Sequence, residues 1–219
     1  MMSIPVLTID GPSGAGKGTV SRAVAKLLGW NYLDSGSIYR SLAIACLQAE
    51  VDLSDVAAVC DIAQNMLLSF DCGETLQVNL NGQNITHLLG TEATGNAASI
   101  VAAYPEVRAI LLQKQKDFQQ LQGLVADGRD MGSVVFPNAE YKVYLTASAE
   151  ERASRRYKQL IEKGIDANLA QITREIEERD RRDSERATAP LIVPEGATFI
   201  DSSRLSIQQV IDAVIALVR

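Results

Sequence analysis

The chain has 219 residues, 47% of them hydrophobic and 22% charged, and a formal net charge of -6. Those values describe an ordinary globular protein with one sizeable α/β core, or a core with small attached lobes, and exclude an extended disordered chain. They also argue against a protein that coats nucleic acid, which needs a basic face, so any phosphate site must be locally concentrated.

The first predicted element is "IPVLTID" (4–10), a continuous apolar run rich in β-formers that reads as a buried strand. Directly behind it stands "GPSGAGKGT" (11–19). Next, "KGTVSRAVAKLLG" (17–29) places Val20, Val24, Leu27 and Leu28 on one helical stripe that stops at Gly29. Further strands are expected at "NYLD" (31–34), "GLVAD" (123–127), "YKVYLTA" (141–147) and "ATFID" (197–201), with helical patterns between them. Such alternation predicts a mostly parallel sheet covered by helices on both faces. Trp30, just before the second strand, is expected to be a packing anchor.

Two stretches break the alternation. Residues 74–90, "ETLQVNLNGQNITHLLG", alternate with period 2 around Asn81-Gly82, which predicts a small antiparallel insert. His87, the only histidine, falls in this insert and reads as structural or surface. From 149 to 188 the chain is highly charged and reads as two exposed helices joined by a turn at Gly164; by composition alone these are solvated faces. The cysteines (Cys46, Cys60 and Cys72) are odd in number and lack C-x-x-C spacing, and no basic-then-apolar leader is present. Reduced thiols in the cytoplasm, packed as small hydrophobes, are the expectation. No apolar run approaches the ~18 residues a membrane span needs, so no membrane role is expected.

The stretch 11–19 carries the chemistry. Gly11, Gly16 and Lys17 form G-x-x-x-x-G-K between a strand and a helix, with Gly14, Gly18 and Thr19 added. Glycines let successive backbone N–H groups converge on phosphate oxygens, the helix N-terminus adds positive potential, and Lys17 follows the transferred charge. The candidate cradle for the donor nucleotide is therefore Gly11, Pro12, Ser13, Gly14, Ala15, Gly16, Lys17, Gly18 and Thr19. Gly18 occupies the place where a Ser or Thr usually follows the lysine. The hydroxyl comes one residue later, at Thr19, and both direct and water-mediated contact with a metal stay open. Neither an N/T-K-x-D guanine motif nor a D-x-x-G switch motif is present, which disfavours a GTPase.

An acceptor site belongs where strands end. "LDSGSIYR" puts Asp34 and Ser35 at one strand end, with Arg40 one turn into a helix. "ADGRDMG" puts Asp127, Arg129 and Asp130 at another. Alone, each segment reads equally as a turn; with the glycine loop they make a constellation facing a terminal phosphate. Further on, Arg179, Arg182, Asp183 and Arg186 fall at i, i+3, i+4 and i+7, on one helical face. Three guanidiniums in one stripe repel one another unless an anion joins them. The segment is thus a candidate lid, closing over transferring phosphate and excluding water.

With "NAAS" (96–99), "YPEVRAILL" (104–112), "ADGRDMGSVVFP" and "ERDRRDSERATAPL" (178–191), these motifs run nearly end to end in an order and spacing that resembles the bacterial-type cytidylate kinases. The resemblance implies an α/β P-loop NTPase fold with a five-stranded parallel sheet in the order 2-3-1-4-5. It implies a core at 1–35, 104–148 and 189–219, a monophosphate-nucleotide lobe at 36–103 holding the antiparallel insert, and a lid at 149–188. It implies transfer from ATP, with nucleotide-bound Mg2+, to CMP or dCMP by a cytoplasmic monomer, without nucleic-acid or membrane partners and without a protein-held metal. By position, Ser35, Arg40, Ser99, Arg108, Arg129, Asp130, Arg179, Asp183 and Arg186 match residues that bind the acceptor in the family, and Arg182 matches a lid arginine. Lys17, Arg129, Arg182 and Arg186 are the expected catalytic groups. Arg152, Arg156 and the turn at Asp201 to Ser203 are candidates for the adenine pocket. Two other readings remain beside this one: a kinase for AMP, UMP or a small metabolite, and a nucleotide-dependent binding module without acceptor chemistry. The arginine stripe and the polar strand ends argue against the module.

Overall fold

Val6–Asp10 forms β1, buried at every residue, and in the computed structural model it is the middle strand of a five-stranded parallel sheet. Residues 4–72, 76–162 and 164–218 are described. The other sheet strands are β2 (Asn31–Asp34), β6 (Leu124–Gly128), β7 (Tyr141–Thr146) and β8 (Thr198–Asp201), in the order β2-β6-β1-β7-β8. Counting core strands alone, this is 2-3-1-4-5, the expected P-loop arrangement. The central strands read as continuous apolar runs because both of their faces are covered. Leu7, Ile9, Leu124, Val125, Val143 and Leu145 are all fully buried. In register, Asp10 lies beside Gly128 on one side and Tyr144 on the other, so β1, β6 and β7 end together.

The chain divides into two units, Met1–Tyr32 with Gln120–Arg219, and Leu33–Gln119. In the first, α1 (Lys17–Leu28) ends on Gly29, whose φ of 67° lets its N–H turn back to the carbonyls of Ala25 and Lys26. The face it buries is Lys17, Val20, Ser21, Val24 and Ala25. Leu27 is not on that face, contrary to expectation, and stands 62% exposed. The seam continues from Val24 through Ala25, and Leu27 projects to the side of it. A one-turn π-helix, Met131–Val135, follows β6. The charged region forms α6 (Ala149–Glu162) and α7 (Leu169–Glu185), and α8 (Ile207–Val218) lies against α1. Ala153, Ile172 and Ile176 make a small apolar contact between α6 and α7, so these helices are solvated on their outer faces only.

Trp30 is indeed a packing anchor. A Cβ on Gly123 would stand 2.5 Å from its ring, and Gly123 has φ +114°. Gly123→Ala therefore combines overpacking with left-handed strain, and should destabilise the fold by about 2 to 4 kcal/mol. A fall in the denaturant midpoint at unchanged slope is the expected readout.

The second unit contains α2 (Ser35–Gln48), α3 (Val56–Asn65), α4 (Glu92–Val101) and α5 (Pro105–Lys116). It also holds a three-stranded sheet, β3 (Leu68–Cys72), β4 (Leu76–Leu80) and β5 (Gln83–Asn84), in that order. The Asn81-Gly82 turn is as expected. Leu80 pairs with Gln83, and both turn residues have positive φ (50° and 83°), as a two-residue hairpin turn requires. Glu74 and Thr75, at the start of the expected antiparallel stretch, lie outside the described residues, as does the side chain of Cys72. Cys46 is buried and Cys60 half-buried, both as free thiols, and His87 is exposed. Among the described residues no helix is long and apolar enough to cross a membrane.

Candidate active site

The loop after β1 is shaped by what surrounds it. A Cβ on Gly11 would sit 1.9 Å from the carbonyl oxygen of Leu145, so this position admits glycine alone. Gly14 and Gly16 have φ of +79° and +92°. Gly16 is also the N-cap of α1 and offers no side-chain bond to it. The first amides of α1 thus lack a side-chain cap, the arrangement that favours an anion at a helix N-terminus. Lys17 folds back over the loop, its Nζ donating to the carbonyl of Pro12 at 2.9 Å.

Lys17 is 6% exposed, and its pKa falls from 10.5 to about 7. Burial is the main cause, and the positive charge of Arg129 comes next, with Asp127 opposing and Arg179 adding. Arg129 and Arg179 thus stand close enough to Lys17 to disfavour its proton, an arrangement of charge that favours a polyanion. Asp127, 6% exposed, accepts a hydrogen bond from the Tyr32 hydroxyl at 3.3 Å.

The turn after β6 carries Arg129 and Asp130. Arg129 Nε donates to Asp183 Oδ2 at 2.9 Å, joining this turn to α7. Burial opposes both charges, but each partner prevails for the other. Asp183 holds the Arg129 guanidinium above its usual range, while Arg129, then Arg179 and Arg186, hold the Asp183 carboxyl below its own. Asp130 is 3% exposed and precedes the π-helix.

Arg179, Arg182 and Asp183 lie on α7 as predicted, with Arg182 exposed. Arg186 does not continue that helix. It is the C-cap, with ψ 139°, and its Nε donates to the carbonyl of Ala189 at 2.6 Å. A helix continued through Pro190 would set its ring against the Arg186 carbonyl four residues back and lack an N–H to bond it.

Arg152, a candidate for the adenine pocket, is held as a tether. Its Nη1 donates to the Ser13 carbonyl at 2.9 Å and to Asp180 Oδ1 at 3.1 Å, and its Nε donates to Ala147 at 2.9 Å. It therefore ties the glycine loop to α7. Arg156 is exposed. The Asp201–Ser203 turn is held by its own bonds, Asp201 accepting from the Ser203 amide and hydroxyl.

In the second unit Asp34 caps α2, accepting from the Ser37 amide at 3.1 Å. Ser35 donates to Gln115 Oε1 at 2.7 Å, and Arg40 donates to the Leu89 carbonyl. Arg108 is 8% exposed, lies 5.6 Å over the Tyr39 ring and donates to Ala102 at 3.2 Å. Ser99 is half-buried on α4. Gly95 on the same helix faces Arg40, whose Nη2 would be 3.7 Å from a Cβ there.

Among the described residues no cluster of three His, Cys, Asp or Glu side chains is fit to cage a metal. Asp127 is a single carboxylate directed at the start of α1, with Oδ2 3.4 Å from the Cβ position of Gly18, the residue before Thr19. A single carboxylate there fits a hard cation that arrives on phosphate oxygens and keeps most of its waters.

Residues 7–219 match the family model described as cytidylate kinase. A protein named cytidylate kinase from Methylococcus capsulatus is 56% identical over 99% of this chain and 98% of its own length. Proteins of the same name from Aeromonas salmonicida and Aeromonas hydrophila are 52% and 53% identical, each over 97% of this chain and 93% of its own.

Proposed function

The chain belongs to the cytidylate kinase family, and on that premise we propose that it transfers the γ-phosphoryl group of ATP to CMP and dCMP, forming CDP and dCDP. The observation that carries this reading is the buried Lys17 at the glycine loop, crowded by Arg129 and Arg179. Phosphate oxygens in that loop supply the missing negative charge. The acceptor is itself an ionised phosphate, so the reaction needs positioning and charge stabilisation and no histidine base. Lys17 and the α1 amides hold the donor phosphates, while Arg129, Arg182 and Arg186 meet the charge that spreads over the transferring group. For the acceptor nucleotide the reading assigns Arg129, Asp130, Arg179, Asp183 and Arg186 of the first unit, and Ser35, Arg40, Ser99 and Arg108 of the second. Mg2+ bound to ATP is the proposed ion, neutralising phosphate charge, with Asp127 and Thr19 as the protein oxygens beside it. The residues from 149 to 188 are the proposed lid. We take the enzyme to be a cytoplasmic monomer in pyrimidine nucleotide metabolism, consistent with its acidic balance and odd thiol count.

A panel of CMP, dCMP, UMP and AMP with ATP, read by ADP formation, tests the proposal. Rapid turnover with CMP and dCMP is expected; ATP binding without transfer to any monophosphate would overturn it.

Base choice gives a sharper expectation. Cytosine offers an N4 amino donor where uracil offers an O4 acceptor, and the buried Asp130 carboxylate suits the former. Asp130→Ala should lower kcat/KM for CMP roughly 10- to 100-fold more than for UMP, the scale of ~1 to 3 kcal/mol per good base contact. An unchanged CMP-to-UMP ratio would remove Asp130 from the base site.

A further inference from the structure

Asp10 is the last residue of β1 and is fully buried. A carboxylate at the end of an apolar strand calls for partners, and it finds them across the sheet. Oδ1 accepts the Met131 amide at 2.8 Å, and Oδ2 accepts the Gly132 amide at 2.7 Å. These are the first two amides of the π-helix, so Asp10 caps that turn from a neighbouring strand.

The backbone of Asp10 is also in register with Gly128, the last residue of β6. One residue therefore holds both ends of the short span from Gly128 to Met131, and the residues between are Arg129 and Asp130. The same contact is tight at Gly132, where a Cβ would come 2.8 Å from the Thr8 hydroxyl of β1. Asp10 also directly precedes Gly11, the start of the glycine loop. Burial lifts the Asp10 pKa to about 6, while the two amides oppose the rise.

We propose that Asp10 is a positioning residue for phosphoryl transfer. Through its two amide bonds it fixes Arg129 and Asp130 relative to the glycine loop, so that acceptor recognition is registered to the donor phosphates. The role rests on the kinase reading above. Asp10 is fully buried and touches neither nucleotide; it acts through the turn it holds, and its carboxylate also favours the charge on Lys17.

The test is a graded pair of variants. Asp10→Asn keeps the volume and one acceptor, while Asp10→Ala keeps neither. Misplacing a reacting group by 1 Å can cost about 10²-fold. The expected losses in kcat/KM for CMP are therefore about 10-fold for Asp10→Asn and about 100-fold for Asp10→Ala, with KM for ATP within about threefold of wild type. Binding of CMP and of a non-hydrolysable ATP analogue, measured by calorimetry, should separate in the same way. If melting temperature falls while the CMP constants hold, or if CMP and ATP weaken together, Asp10 is only a structural residue and the role is overturned. If Asp10→Ala does not fold, Asp10→Asn carries the kinetic test. Amide exchange in the wild-type protein then reads the bonds directly, and loop-like exchange at Met131 and Gly132 would overturn the proposal. Wild-type protein inert toward every monophosphate would overturn the kinase reading and this role with it. Active wild type with unaltered CMP constants in Asp10→Asn would overturn this role alone.

Discussion

Lys17→Met should lower kcat by about 10³-fold or more, the scale of cationic groups in phosphoryl transfer, and yet raise the melting temperature at neutral pH. The side chain is buried, and its ammonium is opposed first by burial and then by Arg129. Folding therefore costs something for as long as Lys17 must be held charged. With a pKa of 10.5 when unfolded and about 7 when folded, the unfolded chain binds more protons between those values, so this group's contribution to stability rises with pH across that window. The penalty is full below pH 7 and gone above pH 10.5. At about 1.4 kcal/mol per tenfold change in proton affinity, it is of the order of a few kcal/mol. Methionine keeps the stem and removes the charge, so the gain in stability should be largest near pH 6 to 7 and should shrink toward pH 10. Denaturant titrations at three pH values, beside kcat, check both halves. Near-normal turnover would sink the phosphate role, and a stability gain independent of pH would sink the electrostatic account.

That paradox is legible in the sequence only in part. The spacing of Gly11, Gly16 and Lys17 predicts a phosphate loop, because local backbone needs are written locally. How far Lys17 is buried, and which arginines face it, depends on where β6 and α7 end. The core strands are readable for the same local reason, as apolar runs buried on both faces and bounded by glycine. β3 is not. "LSFDC" is short and carries no flanking turn signal on its N-terminal side, and only its pairing with β4 makes it a strand. The π-helix has no period of its own to detect, since it exists where Asp10 reaches across to its amides. Periodicity also carries α7 one residue too far, because it counts spacing and overlooks Pro190, whose ring in a continued helix would meet the Arg186 carbonyl. Asp10 does leave a trace, as an ionisable residue closing a buried apolar run just before the loop. The hold on Arg152 leaves none, since only the fold reveals the carbonyls of Ser13 and Ala147 that it bonds.

Arg129→Ala should cost the enzyme twice, and the two losses can be separated. Removing a cation from the transferring phosphate should lower kcat by about 10³-fold. Removing it from Asp183 leaves that carboxylate mostly buried without its main partner, a fault worth about 2 to 4 kcal/mol, near the range for broken buried pairs. In the wild-type protein Arg129 holds the Asp183 pKa below 3.8. That stabilisation is present above the unfolded pKa and is lost as pH falls through the folded value. In Arg129→Ala only Arg179 and Arg186 are left to oppose burial, so the Asp183 pKa rises from its wild-type value. The stabilisation that Arg129 gave the ionised carboxylate is what is lost, so the defect should be greatest near pH 7 and should narrow in acid. Adding Asp183→Asn to Arg129→Ala removes the stranded charge, and most of the lost stability should return while kcat stays low. Denaturant midpoints of the wild type, both single variants and the double variant give the coupling energy. If the double variant recovers no stability, the pair does not hold α7 to the β6 turn. If Arg129→Ala keeps wild-type kcat, Arg129 belongs to the fold alone, and the positive charge at the transferring phosphate must come from Lys17, Arg182 and Arg186 without it.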